Sequence, residues 1–520
     1  METAEGLCPA EIGKPHFPAD CSLQKGWKMV MIRKVFDHVR NPCFPLTYLK
    51  ELFIPMKEIH DILSQVKKVH FVGIGGSGMC PLAEILIHRG YEVSGSDNAE
   101  SDTLQRIRSY GIPVYMGQKA ENVQGKELVV YSAAIKSDNP ELAAARKLNI
   151  PCIERSVLLG MVTSRYPKSI CVSGTHGKTT TTGLITSVLL DAGADPSAVI
   201  GGNLPKTGTN GRAGSSDKIV VESCEYVNTF LQLHPYLAVI LNIDNDHLDY
   251  FKTVDNIIHS FRQFAKQTSD VLVVNGDDAN TRKAVEGLTH AKIITFGKGE
   301  HCDYRAVNIQ DTKAARERFD VMKDGKIINE ITLSIPGKHN IYNALAAYAV
   351  CDLMGIPAEQ LQKSLKAFTG VHRRFEMLGT YEGVTVADDF AHHPTELTAT
   401  LTAAMHMGFH NVWAVFQPHT YSRTALLLDD FAKALTIPDH VIISEILAVR
   451  ETNTYNIYAE DLVKKVPGAV YRKTFPEIAD YVMEHAKSGD LILTMGGGNV
   501  YQCANLIVDR YKSRQTAAEK

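Results

Sequence analysis

Two glycine-rich turns restrict this chain more than any other feature: Gly73-Ile74-Gly75-Gly76-Ser77-Gly78 and Ser173-Gly174-Thr175-His176-Gly177-Lys178-Thr179-Thr180. Each follows a short apolar run, Val69–Val72 or Ser169–Val172, and each leads into a helix-compatible stretch. A strand that passes into a helix through such a turn opens a strand–helix–strand unit, whose next strand runs parallel to the first. The alternation recurs: further strand candidates are Glu92–Ser94, Leu128–Tyr131, Ile219–Val221, Leu237–Leu241 and Val271–Val274, then Val384–Ala387, Val412–Phe416, Val441–Ile443 and Leu491–Thr494. The expected class is α/β, with parallel sheets covered by helices. Ligands of such sheets bind beyond the carboxyl ends of the strands, where both turns fall, as does a third, Gly496-Gly497-Gly498.

At 520 residues the chain has room for roughly three domains of about 150 residues. Boundaries are expected near Arg165-Tyr166-Pro167 and Gly370, giving units of 56–166, 167–370 and 371–520 behind an extension, 1–55, that shows no clean periodicity. Lys and Arg total 55 against 58 for Asp and Glu, so a basic surface for nucleic acid is not expected. Ten cysteines without a C-x-x-C pair or zinc-like spacing point to reduced thiols. The absence of a long apolar run predicts no membrane insertion, and a cytoplasmic location is expected.

The first turn suits a diphosphate. Its glycines allow close approach, and the following helix offers unpaired N–H groups to an anion. Asp97, at the end of the next strand, stands where a ribose hydroxyl is often held, so Gly73, Gly75, Gly76, Ser77, Gly78 and Asp97 fit either NAD or another diphosphate nucleotide. The second turn reads as a phosphate loop of the shorter G-x-x-G-K-T form, because Val172 stands where a full Walker A motif has glycine. Loop N–H groups would cradle phosphates, Lys178 would reach the β and γ phosphates, and the Thr179 hydroxyl would join a magnesium ion. Glu222, ending the run KIVVE, is the preferred carboxylate for that ion, with Glu225 as the alternative, and His247 of LNIDNDHLDYF is a further candidate. Late in the chain, Asp388-Asp389-Phe390-Ala391-His392-His393 and Phe416-Gln417-Pro418-His419-Thr420-Tyr421-Ser422-Arg423 each follow a strand candidate. Adjacent histidines offer a base near neutral pH, and Arg423 can fork onto a carboxylate or phosphate.

Together HFVGIGGSGM, SGSD, YSAAIKSDNPE, SGTHGKTTTT, NIDNDHLDYF, PGKHNIYNALAA, RRFEMLG, DDFAHHPTE and FQPHTYSRT resemble the Mur ligase family, from about Val69 to the end. The resemblance implies a Rossmann-like N-terminal domain for the UDP substrate, a central P-loop-type ATPase domain with a parallel sheet, and a Rossmann-like C-terminal domain that closes over the site. It implies that the first glycine turn holds the UDP diphosphate, and that Gly174, Thr175, His176, Gly177, Lys178, Thr179 and Thr180 bind ATP. It also implies that Thr179, Glu222 and His247 surround magnesium and that His339, Asn340 and Asn343 lie near the adenine. Arg374, His393, His419 and Arg423 would serve the substrates or close the site.

The similarity is greatest to the branch joining L-alanine to the lactyl carboxylate of UDP-N-acetylmuramate, with ATP consumed through an acyl phosphate. Lys178, His393 and Arg423 are then the expected catalytic residues. Where many relatives read E-A-D-E-S-D, this chain has Glu222-Ser223-Cys224-Glu225-Tyr226-Val227, keeping both glutamates. A murein tripeptide ligase is the nearest alternative, because DDFAHHPT suits both. An NAD-dependent dehydrogenase would leave the GKT loop unexplained, and a non-catalytic ATP-binding regulator would leave Asp388–His393 without a task.

Overall fold

The computed structural model describes residues 62–312, 315–449 and 451–518. The expected extension, residues 1–55, lies outside them. Residues Leu63–Lys520 form one compact unit by their contacts. Three sheets organise it. The first has five parallel strands, β1 (Lys68–Val72), β2 (Glu92–Asp97), β3 (Val114–Met116), β4 (Leu128–Tyr131) and β5 (Cys152–Glu154), in the order β3-β2-β1-β4-β5. β1 lies between β2 and β4, so consecutive connections leave it on opposite sides and open a crevice where the first glycine turn sits. Gly95 in β2 is required by packing, since a Cβ there would lie 2.5 Å from Ile74 Cδ1 of that turn.

The second sheet comprises β6 (Lys168–Ser173), β7 (Ser197–Leu204), β8 (Thr209–Arg212), β9 (Lys218–Glu222), β10 (Leu237–Ile240), β11 (Val271–Asn275), β12 (Lys292–Gly297), β13 (Tyr304–Asp311), β14 (Arg316–Lys323) and β15 (Lys326–Pro336). Their order is β15-β14-β13-β12-β11-β10-β6-β9-β7-β8. The interior is parallel as expected, but β13-β14-β15 and the β7–β8 pair are antiparallel. These outer strands escaped the sequence reading because RERFDVMK and KIINEITLSIP alternate polar and apolar residues, so they lack the continuous apolar run of a strand buried on both faces. The helix Lys178–Asp191 (KTTTTGLITSVLLD) is rich in β-branched residues that form helices poorly alone. Its Thr182 and Thr186 hydroxyls donate to the carbonyls four residues back, at 2.7 Å each, and burial along almost its whole length favours it over other conformations.

The third sheet comprises β16 (Glu376–Tyr381), β17 (Val384–Asp389), β18 (Val412–Phe416), β19 (His440–Ile443), β20 (Val470–Tyr471) and β21 (Leu491–Met495), ordered β16-β17-β21-β18-β19-β20. Only β16 is antiparallel to its neighbour. Successive side chains of β18 enter opposite cores: Val412, Ala414 and Phe416 pack on one face, Trp413 and Val415 on the other. Among the described residues all seven cysteines are free, and no helix is long and apolar enough to cross a membrane.

Candidate functional site

The carboxyl end of β6 delivers the second glycine turn, and its backbone explains the residues found there. Gly174 has φ +142° and Gly177 φ +86°. A Cβ on Gly177 would lie 2.3 Å from Asn343 Oδ1, so this glycine is needed both for its left-handed conformation and for the approach of the helix His339–Leu353. Asn343 donates to Asn340 Oδ1 at 2.9 Å and accepts from Thr181 Oγ1 at 3.3 Å. The motif around His339 is thereby brought against the phosphate loop from more than 160 residues away. Thr180, Asn242, Asn275, His339, Tyr342 and Asn343 are among the residues around a cavity of about 430 Å³ beside the loop.

Lys178 points back into the loop. Its Nζ donates to the carbonyls of Gly174 (2.6 Å) and Thr175 (3.0 Å) and pairs with Glu225 Oε2 at 2.9 Å. Burial alone would lower its pKa, but the Glu225 carboxylate more than offsets this and holds the lysine well above its ordinary value. Thr179 Oγ1 donates to Glu222 Oε1 at 3.0 Å, and Glu222 Oε2 accepts from Gly201 N at 2.7 Å. A Cβ at Gly201 would fall 2.4 Å from Glu222 Oε1, so a glycine clears the space this carboxylate occupies. A hydroxyl and a carboxylate beside a phosphate loop form the hard oxygen donor set that magnesium prefers. His247, at φ +56°, rests its ring on Tyr226 with centroids 4.6 Å apart and lines a cavity with Arg423, His392 and His419.

The C-terminal lobe meets both the phosphate loop and the segment that follows β10. His176 bonds Asp244 Oδ2 at 3.0 Å through Nε2 and faces Glu396 Oε1 at 3.4 Å through Nδ1. Burial lowers its pKa, but the two carboxylates outweigh that and push it up to about 9, leaving the ring protonated at neutral pH. Thr395 Oγ1 donates to Asp244 Oδ2 at 3.0 Å, Arg423 Nη2 to Asp246 Oδ1 at 3.0 Å, and Arg374 Nη2 to Thr179 Oγ1 at 3.2 Å. The acceptors Asp244 and Asp246 were missed by the sequence reading, which took only the histidine from NIDNDH. The alternation of two aspartates after the strand was the available signal.

His393 caps the helix Pro394–Met405: its Nδ1 accepts from Thr395 N at 3.3 Å, while Glu396 reaches back to His393 N in a capping box. Nε2 is buried without a hydrogen-bond partner. Burial also lowers the His393 pKa, so the ring is neutral at pH 7; with Nδ1 accepting from Thr395 N, its one proton sits on the unpartnered Nε2. His419 Nδ1 is likewise buried without a partner, and burial lowers that ring to about 3. Asp389, buried at the end of β17, accepts from Phe375 N and Ala391 N at 2.7 Å each; burial raises its carboxyl to about 6 against the pull of Arg374.

In the first sheet, Asp97 turns inward. Its Oδ2 accepts from Gly75 N at 2.9 Å and its Oδ1 from Asn98 N at 2.8 Å, so it braces the turn. A Cβ at Gly75 would meet that Oδ2 at 2.9 Å. The Ser77 carbonyl accepts from Asn210 Nδ2 at 2.6 Å, tying the turn to β8 of the second sheet.

A strand-to-helix glycine turn in one parallel sheet, a phosphate loop in a second, and a third sheet contributing histidines and arginine to that loop define a nucleotide-dependent ligase built of three α/β layers. Comparison with known proteins agrees. Residues 68–167 match the Mur ligase family catalytic domain, 172–351 the Mur ligase middle domain, and 373–498 the Mur ligase glutamate ligase domain. The UDP-N-acetylmuramate–L-alanine ligase of Caldanaerobacter subterraneus subsp. tengcongensis is 46% identical over 456 residues, 86% of this chain and 99% of that protein. The enzyme of the same name from Acetivibrio thermocellus is 44% identical over 462 residues, covering 88% and 98%. The solved UDP-N-acetylmuramate-alanine ligase of Thermotoga maritima superposes with a TM-score of 0.73 at 29% identity, covering 86% of this chain and 99% of that one. This chain belongs to the Mur ligase family, whose members are ATP-dependent ligases.

Proposed function

We propose that this protein joins L-alanine to the lactyl carboxylate of UDP-N-acetylmuramate, with ATP giving ADP and phosphate, as a cytoplasmic step of peptidoglycan precursor synthesis. The observation that carries this reading is the meeting of the phosphate loop with Arg374, His393 and Glu396 of the C-terminal lobe, in a chain 46% identical to a ligase of that name. The layout in this reading is a UDP-substrate layer at 56–166, an ATP layer at 167–370 and a closing layer at 371–520. Gly73–Gly78 hold the UDP diphosphate on loop N–H groups, and Gly174–Thr180 hold the ATP phosphates. His339, Asn340 and Asn343 flank the adenine.

The lactyl carboxylate attacks the γ phosphorus, the bond to the ADP oxygen breaks, and an acyl phosphate forms. Two anions must meet, so charge neutralisation governs this step. Lys178 supplies it by leaving Glu225 and the loop carbonyls for the phosphate oxygens. Thr179 and Glu222 fit magnesium, with His247 offered from the neighbouring cavity; when bound, that ion neutralises phosphate charge. The amine of L-alanine then attacks the acyl carbon, phosphate leaves, and the amine proton passes to a base. His393, a buried and neutral imidazole, suits that role in the tautomer that carries its proton on Nδ1 and gives up the cap to Thr395 N, leaving the unpartnered Nε2 as the acceptor. Arg423 and His419 orient the amino acid, and the contacts of the lobe with the loop and with Asp244 and Asp246, Arg374 to Thr179 among them, exclude water from the acyl phosphate.

The test is ADP release from ATP and magnesium with UDP-N-acetylmuramate, supplying L-alanine, other amino acids or a murein tripeptide in parallel. L-alanine-dependent release is expected. Release driven by the tripeptide instead, or independent of any acceptor, refutes the assignment.

A further inference from the structure

A second group of metal-type side chains lies away from the phosphate loop, on the turns that follow β11 and β12. Asp277 comes just after β11, and His301 with Cys302 closes the turn after β12. Cys302 is buried, and its Sγ lies 3.8 Å from Asp277 Oδ1. Each residue offers a ligand atom, and the three atoms lie within 4.8 Å of one another. Around a tetrahedral zinc ion a thiolate sulfur and a carboxylate oxygen stand about 3.5 Å apart, so the observed spacing needs little adjustment.

The surroundings prepare each ligand. Asp277 Oδ2 accepts from Lys298 N at 2.7 Å and Tyr342 OH at 3.0 Å, while Oδ1 accepts only Gly299 N, at 3.0 Å, and the weak thiol contact. Oδ1 therefore keeps acceptor capacity for a further partner. His301 Nε2 lies 2.8 Å from the Gly276 carbonyl and donates to it, which leaves the Nδ1 lone pair free. A histidine fixed by a backbone carbonyl on one nitrogen is the usual arrangement of a metal-bound imidazole.

Glycines let the three side chains converge: a Cβ on Gly299 would fall 2.4 Å from His301 Cε1 and 2.7 Å from Asp277 Oδ1, so only glycine admits both side chains against this turn. Gly276 does the same for the sulfur, since its Cβ would fall 2.6 Å from Cys302 Sγ.

We propose that Asp277, His301 and Cys302 form a site for a zinc-type divalent cation, with carboxylate, imidazole and thiolate as protein ligands and water as the fourth. The donor set is too soft for magnesium, so this site and the phosphate site select different ions. The thiol proton passes to solvent as the cation binds, so affinity increases with pH. Asp277 is tied to Tyr342, which lines the cavity beside the phosphate loop, so an ion here stiffens one wall of that cavity.

The experiment titrates the metal-free full chain with cobalt(II), reads the thiolate-to-cobalt charge-transfer band, and displaces cobalt with zinc. One equivalent is expected to give the band in the wild type. Cys302→Ser should abolish it, and His301→Ala, a change at an exposed ring, should weaken cobalt binding about tenfold or more while leaving the metal-free thermal midpoint unchanged. No band in the wild type, or a band of undiminished strength and affinity in both variants, overturns the proposal.

Discussion

Replacing Lys178 by alanine should impair both stability and catalysis, and the structure allows the two losses to be separated. The Lys178 ammonium faces Glu225 at 2.9 Å, with the glutamate side chain only 2% exposed. Removing one member of a buried pair strands the other and costs about 3–5 kcal/mol. At roughly 2–4 °C per kcal/mol for a domain of 150–250 residues, the transition of the central domain should fall by about 10 °C. A domain with ordinary stability stays folded at 25 °C after such a loss, so folding does not account for the catalytic deficit. Loss of a charged donor to the phosphate should reduce ADP release about 10³-fold, with UDP-N-acetylmuramate binding retained. The double variant Lys178→Met/Glu225→Gln removes the stranded charge. It should recover most of the thermal midpoint, read by scanning calorimetry, and none of the ADP release, read by a coupled assay. Recovered activity in the double variant would refute the catalytic role, and an unchanged midpoint in Lys178→Ala would refute the energetic one.

His176 carries a pH signature: Asp244 and Glu396 push its pKa from 6.5 up to about 9 against the effect of burial, worth about 3 kcal/mol. A raised folded-state value means that this contribution is complete below pH 6.5 and disappears as pH climbs through about 9. Thermal midpoints across that window should therefore fall more steeply for the wild type than for Glu396→Gln; parallel curves would contradict the pairing. Gly177→Ala forces a side chain into φ +86° and against Asn343 Oδ1, at about 1–2 kcal/mol for the backbone alone, so the KM for ATP should rise tenfold or more with that for UDP-N-acetylmuramate little changed. His393→Gln can keep the acceptor for Thr395 N yet loses the base, and kcat should drop about 10²–10⁴-fold. Because burial lowers the His393 pKa, the wild-type rate should already be on its plateau at pH 7, which a pH–rate profile checks.

Much of this protein was legible from local order alone. A strand buried on both faces needs an unbroken apolar run, so LAVI, VLVVN, VWAVF and LILTM announced the sheet interiors, and the two glycine turns fall between strand and helix where the sequence put them. Strands with one solvated face, such as β14 and β15, mix polar and apolar residues and so were invisible beside loops. Long-range partnership was invisible for a different reason: no local pattern states that Asn343 fills the space left by Gly177, that Asp244 and Glu396 share one histidine, or that Asp97 bends inward to brace Gly75. Those pairings depend on where β6, β10, β17 and the helix Pro394–Met405 end in space. Folding brings their carboxyl ends and caps to one crevice, and burial there sets the charge of each group: His176 is held protonated by two carboxylates while His393, a similar ring 5.3 Å away, is kept neutral with a free nitrogen.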